Sequence, residues 1–136
     1  MARKARAFVL DAWTVLAYFQ GEAAAGQVRT IIAEAHETGI PLLVSVVNAA
    51  EVWYAVARKS TEATADRSLE DLIQLGIELR EADLETAIEA AKFKASHKMS
   101  LADCFAAALA KQNKADLVTG DPEFRQVESQ INIHWL

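Results

Sequence analysis

The sequence predicts an α/β fold: a mainly parallel sheet with helices on both faces. Short apolar runs that read as buried strands alternate with longer stretches of helical periodicity. Right-handed crossovers between parallel strands put such helices on both faces of the sheet. A third observation bounds the answer. The 136 residues are 52% hydrophobic and 24% charged, without repeat, low-complexity tract or linker, and make one domain over 1–136.

The first strand is 7–10, an apolar run ended by Asp11. Residues 12–20 form a short apolar helix ending near Gly21. Residues 22–38 form another, striped by Ala24, Val28, Ile31, Ile32 and Ala35 and stopped by Gly39. The second strand is 40–45, with Pro41 near its start. Residues 46–58 place Val46, Val47, Ala50, Trp53, Tyr54 and Ala57 at helical spacing. A polar bend over 60–66 leads to a helix over 67–75, carrying Leu69, Leu72 and Ile73 and closed by Gly76. The third strand is 77–80. Asp83 caps a helix with Leu84, Ala87, Ile88, Ala91 and Ala95 on one face, and Ser100 caps an alanine-rich one reaching Asn113. The fourth strand is 115–119. Gly120-Asp121-Pro122 turns into a short helix, and 131–136 is the last strand.

Composition narrows the function classes. Fourteen Lys and Arg against 19 Asp and Glu give a net charge of −5, so the overall field does not advertise nucleic-acid binding. One cysteine, Cys104, excludes an internal disulfide and a multi-cysteine zinc site, and fits a reducing compartment. The basic start runs into an apolar stretch broken by Asp11, unlike a signal peptide. No apolar run approaches the roughly 20 residues of a membrane span. A soluble, cytoplasmic protein is expected.

Ligands in such sheets bind outside the carboxyl ends of the strands. Asp11 follows the first strand and Asp121 the fourth. Glu51 lies about one and a half turns into the helix after the second strand. Asp103 joins them if its helix starts at the same edge. Each acid has a capping explanation: Asp11 and Asp121 as N-caps, Asn48-x-x-Glu51 and Ser100-x-x-Asp103 as capping boxes. Together, four converging carboxylates repel unless protonated or paired with cations. No Lys or Arg lies beside any of them in sequence. Hard divalent ions, which favour oxygen ligands, are the natural neutralisers. Two such ions across a phosphodiester suit in-line hydrolysis. That chemistry needs no ribose hydroxyl, so it leaves RNA and DNA both open. The first turn, Asp11-Ala12-Trp13-Thr14, lacks the glycines of a phosphate-cradling loop.

Phe8-Val9-Leu10-Asp11-Ala12, the segment Ser45 to Val52, Ser100-Leu101-Ala102-Asp103-Cys104-Phe105 and Leu117-Val118-Thr119-Gly120-Asp121-Pro122-Glu123-Phe124, in that order, resemble the PIN-domain family. They look most like its VapC-type toxin ribonucleases, over nearly the whole chain. The resemblance implies a three-layer α/β/α sandwich. It implies an endoribonuclease dependent on Mg²⁺ or Mn²⁺, with Asp11, Glu51, Asp103 and Asp121 as its ligands. It also implies a homodimer and a cognate antitoxin partner. Thr119 would orient water or a ligand carboxylate, and Asn48 would support Glu51. The sequence departs from the family at Trp13, where a small hydroxyl residue often stands, and at Cys104, where alanine is common. The competing readings are another metal-dependent phosphodiesterase or DNA nuclease, or a non-catalytic binding module whose acids are helix caps.

The remaining candidates have plainer readings. Asp116 would sit at the far end of the fourth strand, solvated, and Glu123 would face solvent or support Asp121. His36, His97 and His134 lack metal-ligand spacing, though His97 could reach the site mouth. Cys104 reads as a small buried apolar residue. Arg58 and Lys59, and the tip Arg3-Lys4-Arg6, could touch substrate phosphates. Trp13, Tyr18 and Phe19 suggest a partner-facing patch, with the helix over 67–75 as a second surface.

Overall fold

A computed structural model describes residues 5–136, so the proposed phosphate contacts of Arg3 and Lys4 lie outside the described residues. Its elements are β1 (Phe8–Leu10), α1 (Ala12–Phe19), α2 (Ala25–Thr38), β2 (Leu42–Ser45), α3 (Val46–Lys59), α4 (Glu62–Gln74), β3 (Ile77–Arg80), α5 (Leu84–Ser96), α6 (Leu101–Asn113), β4 (Asp116–Thr119), a 3-10 helix (Pro122–Val127) and β5 (Asn132–Trp135). The five strands pair in the order β3-β2-β1-β4-β5. Every pairing is parallel, with Val9 opposite Leu43 on one side and Leu117 on the other.

Strand side chains alternate between two cores. Val9, Leu43 and Leu117 join α5, α6 and the 3-10 helix on one face. Leu10, Leu42, Val44 and Val118 join α1 to α4 on the other. With helices on both faces, the central strands are apolar throughout, as parallel sheets require. The walk from β1 to β3 and the return to β4 run in opposite directions. Right-handed crossovers therefore put the intervening helices on opposite faces. The expected α/β/α layering is what forms.

Three local expectations need correction. The bend over 60–66 is mostly helix. Thr61 is an N-cap whose hydroxyl accepts from the Thr64 amide at 3.1 Å, so α4 starts at Glu62 and not near Arg67. The face assigned to α5 is also wrong. Thr86, Ala90 and Phe93 turn inward, while Leu84 is 77% and Ile88 50% exposed. The reason lies in α6, whose alanines from Ala106 to Ala108 leave room for the Phe93 ring. The Thr86 hydroxyl donates to Gln112 at 2.8 Å on the same side. Finally, Asn48 is not a cap: Ser45 caps α3, accepting from the Val47 amide at 3.2 Å.

Gly76 takes φ +80, and a Cβ there would run into the His36 ring, whose Nε2 lies 2.6 Å from the Leu75 carbonyl. Only glycine allows this turn into β3. Among the described residues, no helix is long and apolar enough to cross a membrane.

Thr61→Ala removes the α4 cap and is expected to cost about 1 kcal/mol in urea unfolding. A loss below about 0.3 kcal/mol would return 60–66 to an uncapped bend.

Candidate functional site

β1 and β4 are neighbours at the centre of the sheet, but the chain leaves them toward opposite sides. This is the switch point, where a crevice opens at the carboxyl ends of the strands. Asp11 follows β1 and is fully buried. One of its oxygens caps α1, accepting from the Thr14 amide at 2.9 Å. The other accepts from the Thr119 hydroxyl, at the end of β4, at 2.6 Å. The capping reading is therefore right for half of this carboxylate, and the second half is tied across the switch point. The Thr119 hydroxyl oxygen in turn accepts from the Asp121 amide at 3.0 Å. The Thr14 hydroxyl donates to the Val118 carbonyl at 2.8 Å, closing α1 onto β4.

Glu51 and Asp103 arrive on two helices. The buried Asn48 amide donates to Glu51 at 3.4 Å and to the Ala102 carbonyl at 3.1 Å, tying α3 to the first turn of α6. That tie brings the start of α6 to the carboxylate edge. Asp103 lies in this turn, its amide donating to the Ser100 hydroxyl at 3.1 Å. Asn48 Oδ1 is buried without a partner. A swapped amide would set this oxygen against two acceptors, so the observed orientation is the only one that bonds both.

The carboxylates also act on one another electrostatically. Burial pushes Asp103 up to about 7, with the Asp121 charge next; the Ser100 bond opposes this, and Asp11 and Glu51 add to it. Burial raises Asp11 to about 6 despite the Thr119 and Thr14 bonds, with a further push from Asp121. Glu51 is raised by burial and by Asp121, against the Asn48 bond. Asp103 thus feels all three of the other acids. Among the described residues, no cationic group helps to hold Asp11, Glu51 or Asp103 charged.

Of the four predicted acids, two form a close group with a further one, and Asp11 and Glu51 lie outside that group. Oxygens of Asp103, Asp121 and Glu123 lie within 4.8 Å of one another. Asp121 caps the 3-10 helix, accepting from the Glu123 amide at 2.9 Å, and this tight turn draws Glu123 alongside. Sequence reasoning assigned Glu123 only a solvent-facing or supporting part. The usable signal was an acid two residues past Asp121, with Pro122 opening a 3-10 turn. Hard oxygen donors this close together, with no basic side chain of the described residues paired to them, are the chemistry that suits Mg²⁺ or Mn²⁺.

Other candidates lie elsewhere. Arg58 and Lys59 are in the last turn of α3, with the Arg58 guanidinium 5.0 Å from the centre of the Tyr54 ring. They are roughly 10 Å along the helix axis from Glu51. His97 hydrogen-bonds the Phe93 carbonyl at 3.0 Å, and Cys104 is core. Asp116 opens β4, at the end of the strand away from the acids, and is half-buried. The aromatic patch divides: Tyr18 and Phe19 line a groove of about 560 Å³ with Arg29, Asp71, Gln74 and Leu75, while Trp13 lines another cavity.

Folding tightens proton binding by Asp11 and Asp103. Between the unfolded carboxylate range near ~4 and the folded values, the native state holds more protons, so its stability falls as pH rises. In chelator, stability is expected to drop by about 1–3 kcal/mol from pH 5 to pH 8, discounting Asp103 for its partial exposure. Asp103→Asn is expected to flatten the profile. Equal slopes for variant and parent in urea unfolding would contradict the coupling.

Comparison with known proteins bears on the fold and the family. The PIN-domain family model matches residues 8–130. Among solved structures, DNA-bound VapBC from Salmonella typhimurium superposes with a TM-score of 0.75 at 18% identity, covering 94% of this chain and 96% of that one. VapBC2 from Rickettsia felis, bound to a promoter DNA fragment, gives 0.73 at 15%, covering 95% and 98%. VapC20 from Mycobacterium tuberculosis, described as a Sarcin-Ricin loop cleaving toxin, gives 0.69 at 14%, covering 89% and 95%. Among curated protein sequences, none matches. At these identities the structures attest the fold, while the family model spans nearly the whole chain: this chain belongs to the PIN-domain family.

Proposed function

We propose that the chain is a metal-dependent endoribonuclease, the toxin of a toxin–antitoxin pair. The observation that carries this reading is the close group of Asp103, Asp121 and Glu123, with Asp11 and Glu51 near enough to act on Asp103 and no basic side chain of the described residues paired with these acids. Asp11, Glu51, Asp103 and Asp121 would hold Mg²⁺ or Mn²⁺, with Glu123 beside Asp103 and Asp121. Such ions, when bound, polarise a phosphodiester and activate water for in-line hydrolysis.

The chain's own part is positioning and proton release. Thr119 and the α1 amide at Thr14 hold Asp11 in one orientation. Asn48 orients Glu51 and keeps α3 and α6 in register. Asp103 must lose its proton to take a cation, so ion binding weakens as pH falls through about 7. Arg58 and Lys59 would hold a more distant phosphate of the same strand.

The likeness to toxin ribonucleases, and the neighbour described as a Sarcin-Ricin loop cleaving toxin, support RNA as substrate. The VapBC neighbours support an antitoxin partner. The groove between Tyr18, Phe19 and the end of α4 offers it apolar surface with Arg29 and Asp71 at hand. A homodimer would cover Leu84 and Ile88 of α5. A cytoplasmic setting fits the single buried thiol of Cys104.

Asp11→Asn and Asp121→Asn are each expected to lower Mn²⁺-dependent cleavage of single-stranded RNA by at least about 100-fold, and to reduce the rise in melting temperature that Mn²⁺ gives the parent. Variants that cleave like the parent would remove these ligands. A parent that prefers DNA or a small phosphate ester would replace the RNA reading.

A further inference from the structure

Trp13 stands in an unusual place. It follows Asp11 by two residues, and its six-membered ring lies against Gly120, the residue before Asp121. A Cβ at Gly120 would collide with that ring. One aromatic ring is thereby held on the backbone that leads into Asp121, from a residue two places after Asp11, yet it is 37% exposed. It also lines a cavity of about 340 Å³ with Glu22, Ala24, Gln27 and Leu136. A core tryptophan would be covered, and a solvated one would not need glycine beneath it.

We propose that Trp13 is a stacking platform for the nucleobase next to the phosphate that is cleaved. The inference rests on the endoribonuclease reading and adds a specificity residue to that site. Single-stranded RNA is read by bases splayed onto aromatic faces. Gly120 lets the ring sit low, leaving its free side for a base. The cavity wall selects against the backbone: the Glu22 carboxylate repels phosphate and accepts from a base's exocyclic amine. Gln27 can donate and accept at the same edge.

The test compares the full-length parent, Trp13→Phe and Trp13→Ala on single-stranded RNA in Mn²⁺, with an abasic nucleotide placed on either side of the mapped cleavage point. Trp13→Ala is expected to lose roughly 5- to 150-fold in kcat/KM and Trp13→Phe much less. One abasic substrate is expected to cost the parent a similar factor while leaving Trp13→Ala unmoved. In Ca²⁺, RNA should quench parent tryptophan fluorescence more than that of Trp13→Phe. Cleavage by the parent that is indifferent to both abasic positions, or equal quenching in parent and Trp13→Phe, would overturn the platform. A parent that neither cleaves nor binds RNA would instead strike the endoribonuclease reading. The abasic and Trp13→Phe arms decide the matter even if Trp13→Ala does not fold.

Discussion

One hydrogen bond ties this molecule together: the Thr119 hydroxyl donating to the buried Asp11 carboxylate, between residues 108 apart in sequence. It spans the two strands from which the chain departs in opposite directions. Around it the Asp11 cap starts α1, and the Asp121 amide finds its acceptor. Remove the bond and a buried acid faces Asp121 with one fewer donor to hold its charge. The fold and the candidate chemistry share these atoms, so neither can be altered alone.

The acids illustrate how capping and convergence coexist. Asp11 and Asp121 are genuine N-caps, and Asp11 uses its second oxygen to reach Thr119 across the switch point, while Asp121 lies with Asp103 and Glu123. A helix beginning at the end of a parallel strand wants an acceptor there, and a metal site wants an anion at that same edge. Folding buries these carboxylates, and burial first, with the neighbouring acids adding to it, raises the proton affinities of Asp11 and Asp103. Divalent ions would oppose that rise.

The acids at strand ends were legible in sequence because strand, acid and helix start are contiguous: Leu10-Asp11-Ala12 and Thr119-Gly120-Asp121-Pro122. The layers were legible for the same reason. What sequence missed was set by tertiary contact. The α5 face was misread because periodicity counts Leu84 and Ile88 as core, whereas the alanines of α6 admit Phe93 instead. The α4 start was missed because Thr61 pairs with Thr64 rather than an acid three residues on. Asn48 was read as a cap, since nothing local shows that its amide spans to Ala102. Glu123 joins the cluster through a 3-10 turn whose tightness no spacing rule reports.

The central claim is that these acids form one ion-binding unit that is partly protonated near neutrality. Calorimetric titration of the ion-free protein with Mn²⁺, in buffers of differing ionisation enthalpy, measures the protons released on binding. Saturable binding with measurable release at pH 6.5, falling toward zero by pH 8.5, is the expected result. Binding without proton release at pH 6.5, or no saturable binding at either pH, would contradict it.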